Sequence, residues 1–148
     1  MVKYNDKLSQ YITELFAAQD EILQYVIQDT PKKGLPAIGI QPEEGRFLQF
    51  LVRICNTKKA LEIGTLGGFS GIWIARGLSP GGKLITLEKD TRHAEIAQEH
   101  FNSTGVNDKV MIRVGEAQLL LANLVDEGPF DFVFIDMNKS SYNDYFAW

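Results

Sequence analysis

The stretch ALEIGTLGGFSGIWIA, residues 60–75, sets the acid Glu62 just ahead of the glycine-rich turn Gly64-Thr65-Leu66-Gly67-Gly68, between two apolar runs. Glycines in such a turn let the backbone approach a ligand closely, and the helix that follows offers free N–H groups to an anion. Of the acids that follow, Glu88, Glu116 and Asp136 fall at or just past the ends of later apolar runs. The turn departs from the nicotinamide dinucleotide fingerprint, because Leu66 stands where the second glycine belongs. The Gly-Lys-Ser/Thr of a P-loop is absent as well. Glu62 would bring negative charge toward a pyrophosphate, so it suits instead a ligand that carries an ammonium group. Glu88, about 20 residues beyond the turn, can accept both hydroxyls of a ribose. The turn and the two acids together describe a nucleoside bearing an amino acid, which is S-adenosylmethionine.

The elements that position these residues are legible in the apolar spacing. Leu8, Tyr11, Ile12, Leu15, Phe16, Ile22, Leu23 and Val26 form one apolar face and predict a helix over residues 8–27. DTPKKGLPAIG breaks the chain with its prolines and glycines. A second helix is expected from Pro42, whose missing N–H costs nothing there, through Phe47, Leu48, Leu51, Val52 and Cys55. From Lys58 onward KKALEIG, KLITLEKD, KVMIRVGE and PFDFVFIDMNKS read as strands. Between them lie the helices FSGIWIARGL, TRHAEIAQEHFNSTG and AQLLLANLVDEG. Such alternation indicates βαβ units in an α/β fold, a Rossmann-like, doubly wound parallel sheet. The near-continuous apolar strands fit a sheet covered on both faces. Ligands in these sheets bind beyond the carboxyl ends of the strands, so the four acids are expected to rim one crevice. The reading is a single domain over 1–148, with a helical part at 1–57 and the βαβ part at 58–148.

Bulk properties exclude several function classes. With 45% hydrophobic and 23% charged residues in 148, the chain reads as one ordinary globular domain. Its net charge of -4, and basic residues scattered apart from Lys32-Lys33 and Lys58-Lys59, leave no basic stripe for nucleic acid. The single cysteine, Cys55, excludes an internal disulfide and a cysteine zinc cage; its apolar surroundings predict a buried structural thiol. No apolar run reaches signal-peptide or membrane-span length, so a cytoplasmic protein with no membrane partner is expected. His93 and His100 lack a third metal-ligand partner and read as surface or packing residues. Tyr142, Tyr145, Phe146 and Trp148 read as packing for the next helix.

The segments LEIGTLGGFSGIWIA, ITLEKD, VGEAQ and FIDMNKSSYNDYF, with IGIQPEEGRFLQFLV before them, resemble the metal-dependent O-methyltransferases of the caffeoyl-coenzyme A and catechol type, especially their bacterial relatives. The resemblance implies methyl transfer from S-adenosylmethionine to a hydroxyl of a phenolic, catechol-like or hydroxycinnamoyl acceptor. It also implies assistance from a divalent metal, Mg²⁺ first and Ca²⁺ or Mn²⁺ as alternatives. By resemblance, Glu62, Gly64, Thr65, Gly68 and Ser70 hold the methionine part, and Ile40 lies over the cofactor. Glu88 binds the ribose, and Glu116, Ala117 and Gln118 border the adenine. Asp136 matches the first metal ligand and also touches the cofactor, Asn138 aligns with a cofactor-contacting position, and Lys139 matches the catalytic base of the catechol enzymes. A homodimer is implied for the full-length form. The family's sheet has seven strands and four are read here. The fifth strand, with an Asp-Asn pair that completes the metal site, and the last hairpin are expected to be missing, which would leave an open sheet edge. Two other readings compete: a truncated domain that binds S-adenosylmethionine without catalysis, and a nicotinamide-dependent oxidoreductase.

Overall fold

Strand propensity and apolar runs of four to six residues give four parallel strands: β1 (Lys59–Ile63), β2 (Lys83–Glu88), β3 (Val110–Val114) and β4 (Phe132–Ile135). The structure, a computed structural model, describes residues 6–137 together with Tyr142 and Tyr145. The strands lie in the order β3-β2-β1-β4, and the order reverses beside β1. Such a reversal opens a crevice at the carboxyl ends of the strands. Among the described residues β4 pairs with β1 alone, and Val133 on it is 45% exposed.

Side chains alternate across a strand, and this sorts the core into two clusters. Ala60 and Leu84 face the helices α3 (Pro42–Ile54), α4 (Phe69–Gly77) and α5 (Thr91–Ser103), where Val52, Ile72, Trp73, Ala97 and Phe101 are buried. Leu61, Ile63, Ile85 and Leu87 face the opposite way, onto Leu121 and Leu124 of α6 (Ala117–Leu124) and onto Tyr145. Glu62 and Thr86 stand directly opposite one another in register and share the α4 side. The sequence therefore aims an acid into the core between two leucine-lined layers, and the helix above it has to meet that acid with polar groups.

Two local expectations are corrected. The helix expected over 8–27 is two helices, α1 (Asp6–Phe16) and α2 (Glu21–Lys32). Asp20 starts the second by accepting the Leu23 N–H at 2.8 Å, an N-cap that outweighs the continuous apolar face. The break at DTPKKGLPAIG begins later than expected, because α2 carries Pro31 in its last turn and Thr30 Oγ1 bonds back to the Val26 carbonyl at 2.7 Å. Cys55 is exposed rather than buried. It caps α3 at its C-terminus, one position beyond the helix itself. No helix among the described residues is long and apolar enough to cross a membrane.

Packing between α3 and α4 has no room to spare at Gly45, where an added Cβ would lie 2.3 Å from the Trp73 indole. Glycine to alanine in a helix ordinarily stabilises by about 1 kcal/mol. Here overpacking reverses the sign, and Gly45→Ala should destabilise by about 1–3 kcal/mol in urea unfolding. A stabilised variant would contradict this packing.

Candidate functional site

A cavity of about 520 Å³ opens at the carboxyl ends of β1, β2 and β4. The glycine turn, residues 64–67, and Ser70 form its floor; Glu88, His93, Asp136 and Met137 stand at its sides. Its roof is the end of α2, with Ile27, Thr30 and Pro31, and the connection from Pro36 to Pro42, including Ile40. The lining is largely apolar with a few convergent polar groups, the ordinary make-up of a small-molecule site.

Two glycines are required by the floor. Gly64 has φ +104°, and a Cβ there would sit 2.3 Å from the backbone oxygen of Asp136. Gly68, with φ +81°, caps α4, and its Cβ would strike the Phe101 ring at 2.9 Å. Leu66 adopts a left-handed φ of 48° without being glycine. Its N–H is held at 2.8 Å by Glu88 Oε2, which also accepts the Thr65 N–H at 3.2 Å.

Glu62 is placed differently from the expectation. It is fully buried and does not line the cavity. Because it points to the α4 side of the sheet, its carboxyl lies under the start of α4, accepting from Ser70 Oγ at 2.6 Å and Thr86 Oγ1 at 2.7 Å. Since Thr86 spends its proton there, Thr65 Oγ1 donates to Thr86 Oγ1, at 2.6 Å. Burial pushes the Glu62 carboxyl up to about 7, against the two hydroxyl hydrogen bonds, and the charges of Asp136 and Glu88 add to the rise. The acid thus supports Thr65 and Ser70, which do line the cavity, from beneath. A direct salt link from Glu62 to a ligand's ammonium is not available in this arrangement.

The remaining acids divide. Glu88 lines the cavity, and its second oxygen accepts the N–H groups of Lys89 and Asp90 at 2.8 and 2.9 Å. With the two turn amides this makes four backbone donors on one carboxylate. Asp136 stands at the exposed rim, yet partial burial of its carboxyl, and after that the nearby Glu44 charge, hold it above the ordinary carboxylate range. Glu116 does not join the crevice: it sits past the end of β3, the strand farthest from β4, and pairs with Lys89 at 2.7 Å. The expectation of four acids on one rim is therefore corrected to two, Glu88 and Asp136. Ala117 is buried in the core cluster under α6, and neither it nor Gln118 nor Gly68 lines the cavity. Gly64, Thr65, Ser70, Ile40, Glu88 and Asp136 do come together there. Asn138 and Lys139 lie outside the described residues, as do Phe146 and Trp148. Among the described residues no group of three His, Cys, Asp or Glu side chains is placed to hold a metal ion.

Two residues of the site were not read from the sequence as such. His93 lines the cavity with Nδ1 3.8 Å from Glu88 Oε1. His100, fully buried, bonds through Nδ1 to the Gly67 carbonyl oxygen at 2.7 Å. Only its position two turns along from His93, on the same helix, hinted that both face the sheet end.

The family profile described as O-methyltransferase matches residues 13–148. The chain belongs to the O-methyltransferase family. Membership sets aside the nicotinamide-dependent reading. A catechol O-methyltransferase of Niastella koreensis is 43% identical over 145 residues, which are 97% of this chain and 66% of that protein. A catechol O-methyltransferase of Mycobacterium tuberculosis is 38% identical, over 93% of this chain and 62% of its own length. The chain thus spans somewhat less than two thirds of these relatives. The crystal structure of an O-methyltransferase from Bacillus cereus in complex with SAH superposes with a TM-score of 0.92 at 42% identity, covering 96% of this chain and 66% of that one. That of the O-methyltransferase TomG from Streptomyces achromogenes in complex with SAM gives 0.90 at 37%, over 96% of this chain and 65% of TomG.

The raised Glu62 carboxyl in this O-methyltransferase fold has a consequence for stability. The unfolded chain releases this proton near 4.5, whereas the folded chain holds it to about 7. The folded state therefore loses stability as pH rises through that window. Glu62→Gln keeps the shape and removes the titration. Between about pH 4 and pH 8 the parent should lose about 3 kcal/mol relative to this variant in urea unfolding. A difference that stays constant with pH would show that Glu62 ionises like an exposed acid.

Proposed function

We propose that this chain carries the cofactor-binding part of an S-adenosylmethionine-dependent O-methyltransferase whose acceptor is a hydroxyl of a catechol-like or hydroxycinnamoyl compound. One observation carries the reading: the glycine-turn cavity, with Glu88 and Asp136 at its sides, occurs in a fold that superposes at 0.92 on an SAH-bound family member. The cavity also fits the group physically. Two carboxylates suit a ligand with an ammonium group and ribose hydroxyls, and the glycine turn between them forms the floor.

When bound, S-adenosylmethionine supplies a methyl group on a sulfonium sulfur; transfer forms an O–CH₃ bond, breaks the S–CH₃ bond and leaves that electron pair on sulfur. The chain's residues hold the parts. We assign the methionine end to Gly64, Thr65 and Ser70, with Glu62 fixing the two hydroxyls from below, and the ribose to Glu88. Ile40 covers the cofactor from the roof, and Asp136 faces its charged end. Border contacts to the adenine from Glu116, Ala117 and Gln118, and a contact from Asn138, rest on the resemblance alone. So does Lys139 as the base that takes the acceptor's proton. Holding the oxygen in line with the methyl group would supply much of the rate. The expected divalent cation does not fit the described residues by themselves: Asp136 is one carboxylate, and a strongly hydrated ion such as Mg²⁺ needs more. No step is assigned to it.

A second reading, a cofactor-binding domain without catalysis, uses the same cavity. Calorimetry addresses what the two readings share, and a transfer assay separates them. S-adenosylmethionine or its demethylated product should bind and NAD should not. Glu88→Ala removes the acceptor for the ribose and for two turn amides, and should weaken binding by about 1–3 kcal/mol. Undiminished binding by that variant would end the ribose assignment. Methyl transfer to a catechol that survives a chelator would exclude metal assistance.

Assembly into a homodimer is part of the proposal. Tyr11, Leu15 and Phe16 of α1 and Phe47, Phe50 and Ile54 of α3 are each more than half exposed, an apolar surface of the kind that seeks a partner. Light scattering of the full-length form at micromolar concentration should give twice its monomer mass, and a monomeric mass counts against the dimer.

A further inference from the structure

His100 is the buried titratable group that the proposed chemistry leaves unused. It is fully enclosed on α5, with Nδ1 2.7 Å from the Gly67 carbonyl oxygen and Nε2 3.1 Å from Asp29 Oδ2 on α2. A carbonyl oxygen only accepts, so Nδ1 carries a proton. Asp29 also takes the Lys33 ammonium at 3.2 Å. Burial would raise the Asp29 carboxyl, but the hydrogen bonds from His100 and Lys33 outweigh it and hold it below the ordinary range. Asp29 is therefore an ionised acceptor, and Nε2 carries a proton too.

The two partners belong to opposite walls of one cavity. Gly67 is in the floor, while Asp29 precedes Thr30 and Pro31 in the roof. The walls touch beside the ring, since a Cβ on Gly67 would lie 3.0 Å from Thr30 Oγ1. From α2 the ring is faced by Asp29 and, edge-on at 6.1 Å, by Tyr25, with Lys33 behind Asp29. From its own helix, Glu99 pairs with Lys33. The glycine turn presents only the Gly67 carbonyl.

We infer that His100 is a positioning residue which, as an imidazolium, clips the floor of the cofactor cavity to its roof, so that cofactor affinity depends on its second proton. The inference rests on the cofactor reading above. A neutral ring has one N–H and can serve only one of the two acceptors. Loss of the second proton then frees either the glycine turn or the end of α2, and a cavity with a loosened wall binds more weakly. Neither His93 nor Glu88 makes this link, because both stand at the cavity side and neither touches α2 in the same way.

Asp29→Asn separates the clip from ordinary packing. An asparagine amide can donate to the Nε2 lone pair of a neutral ring, so both contacts persist without charge. For the parent chain, SAH affinity measured by calorimetry should fall about tenfold or more as pH rises from about 6 to about 9. Asp29→Asn should bind nearly as well at the low end and lose most of that slope. The residue of the slope, from Glu62 and the ligand's own amine, is common to both proteins. His100→Gln should bind about tenfold more weakly at low pH. Nitrogen-15 signals of the ring should show both nitrogens protonated in the parent and a single Nδ1–H tautomer in Asp29→Asn. Equal slopes in parent and Asp29→Asn, or a neutral ring in the parent at low pH, would overturn the clip. Absence of SAH binding by the parent at every pH would instead sink the cofactor reading and the affinity effect with it, while the ring signals still decide whether the clip is charged.

Discussion

The floor of the cavity stands on one buried carboxyl. Glu62 sits where two parallel strands and the start of a helix converge, fully enclosed by the fold. A group in that position must find hydrogen-bond donors within the fold or be replaced by something apolar. It finds Ser70 on α4 and Thr86 on β2, and Thr86 in turn takes a proton from Thr65. The geometry of the turn between Thr65 and Ser70 follows from these four side chains. Small residues complete it: Gly71, where a Cβ would come within 3.0 Å of Glu62 Oε2, lets the helix settle over the acid.

A second carboxylate performs a related task at the cavity wall. Glu88 accepts four backbone N–H groups, two from the glycine turn and two from its own turn. It therefore ties the ends of β1 and β2 together while presenting an edge to the cavity. Binding a ribose there would add to a carboxylate already fixed in place, and a fixed acceptor loses little freedom on meeting its ligand.

Much of this arrangement was legible in the sequence, for physical reasons. Apolar runs of strand length alternating with helical periods specify a parallel sheet, and glycines with an acid before them mark the ligand turn. What escaped was depth. Glu62 and Glu88 lie near strand ends on the same face of the sheet, but Glu62 is level with Thr86, beneath α4, while Glu88 stands two residues further on at the mouth; telling them apart required the register Glu62↔Thr86. Glu116 was grouped with them by position past a strand end, whereas β3 lies too far along the sheet to reach the crevice. The N-cap at Asp20 was masked by an apolar face that runs through it. His100 carries no signal of its own, because its importance comes from a carbonyl 33 residues earlier and an acid 71 residues earlier.

The contact between Gly64 and the Asp136 carbonyl has a bearing on the order of assembly. The β1–α4–β2 unit is local in sequence, and its turn can close as soon as residues 59 to 88 are together. β4 must be inserted beside β1 across some seventy intervening residues, as the pair Ala60↔Phe132 shows, and long loops close more slowly and at greater entropic cost. The wall that carries Asp136 is consequently late, and it is an outer strand among those described. A nascent chain possesses its glycine turn before it possesses the strand end that finishes the cavity, and the tight fit at Gly64 is the seam where early and late halves meet.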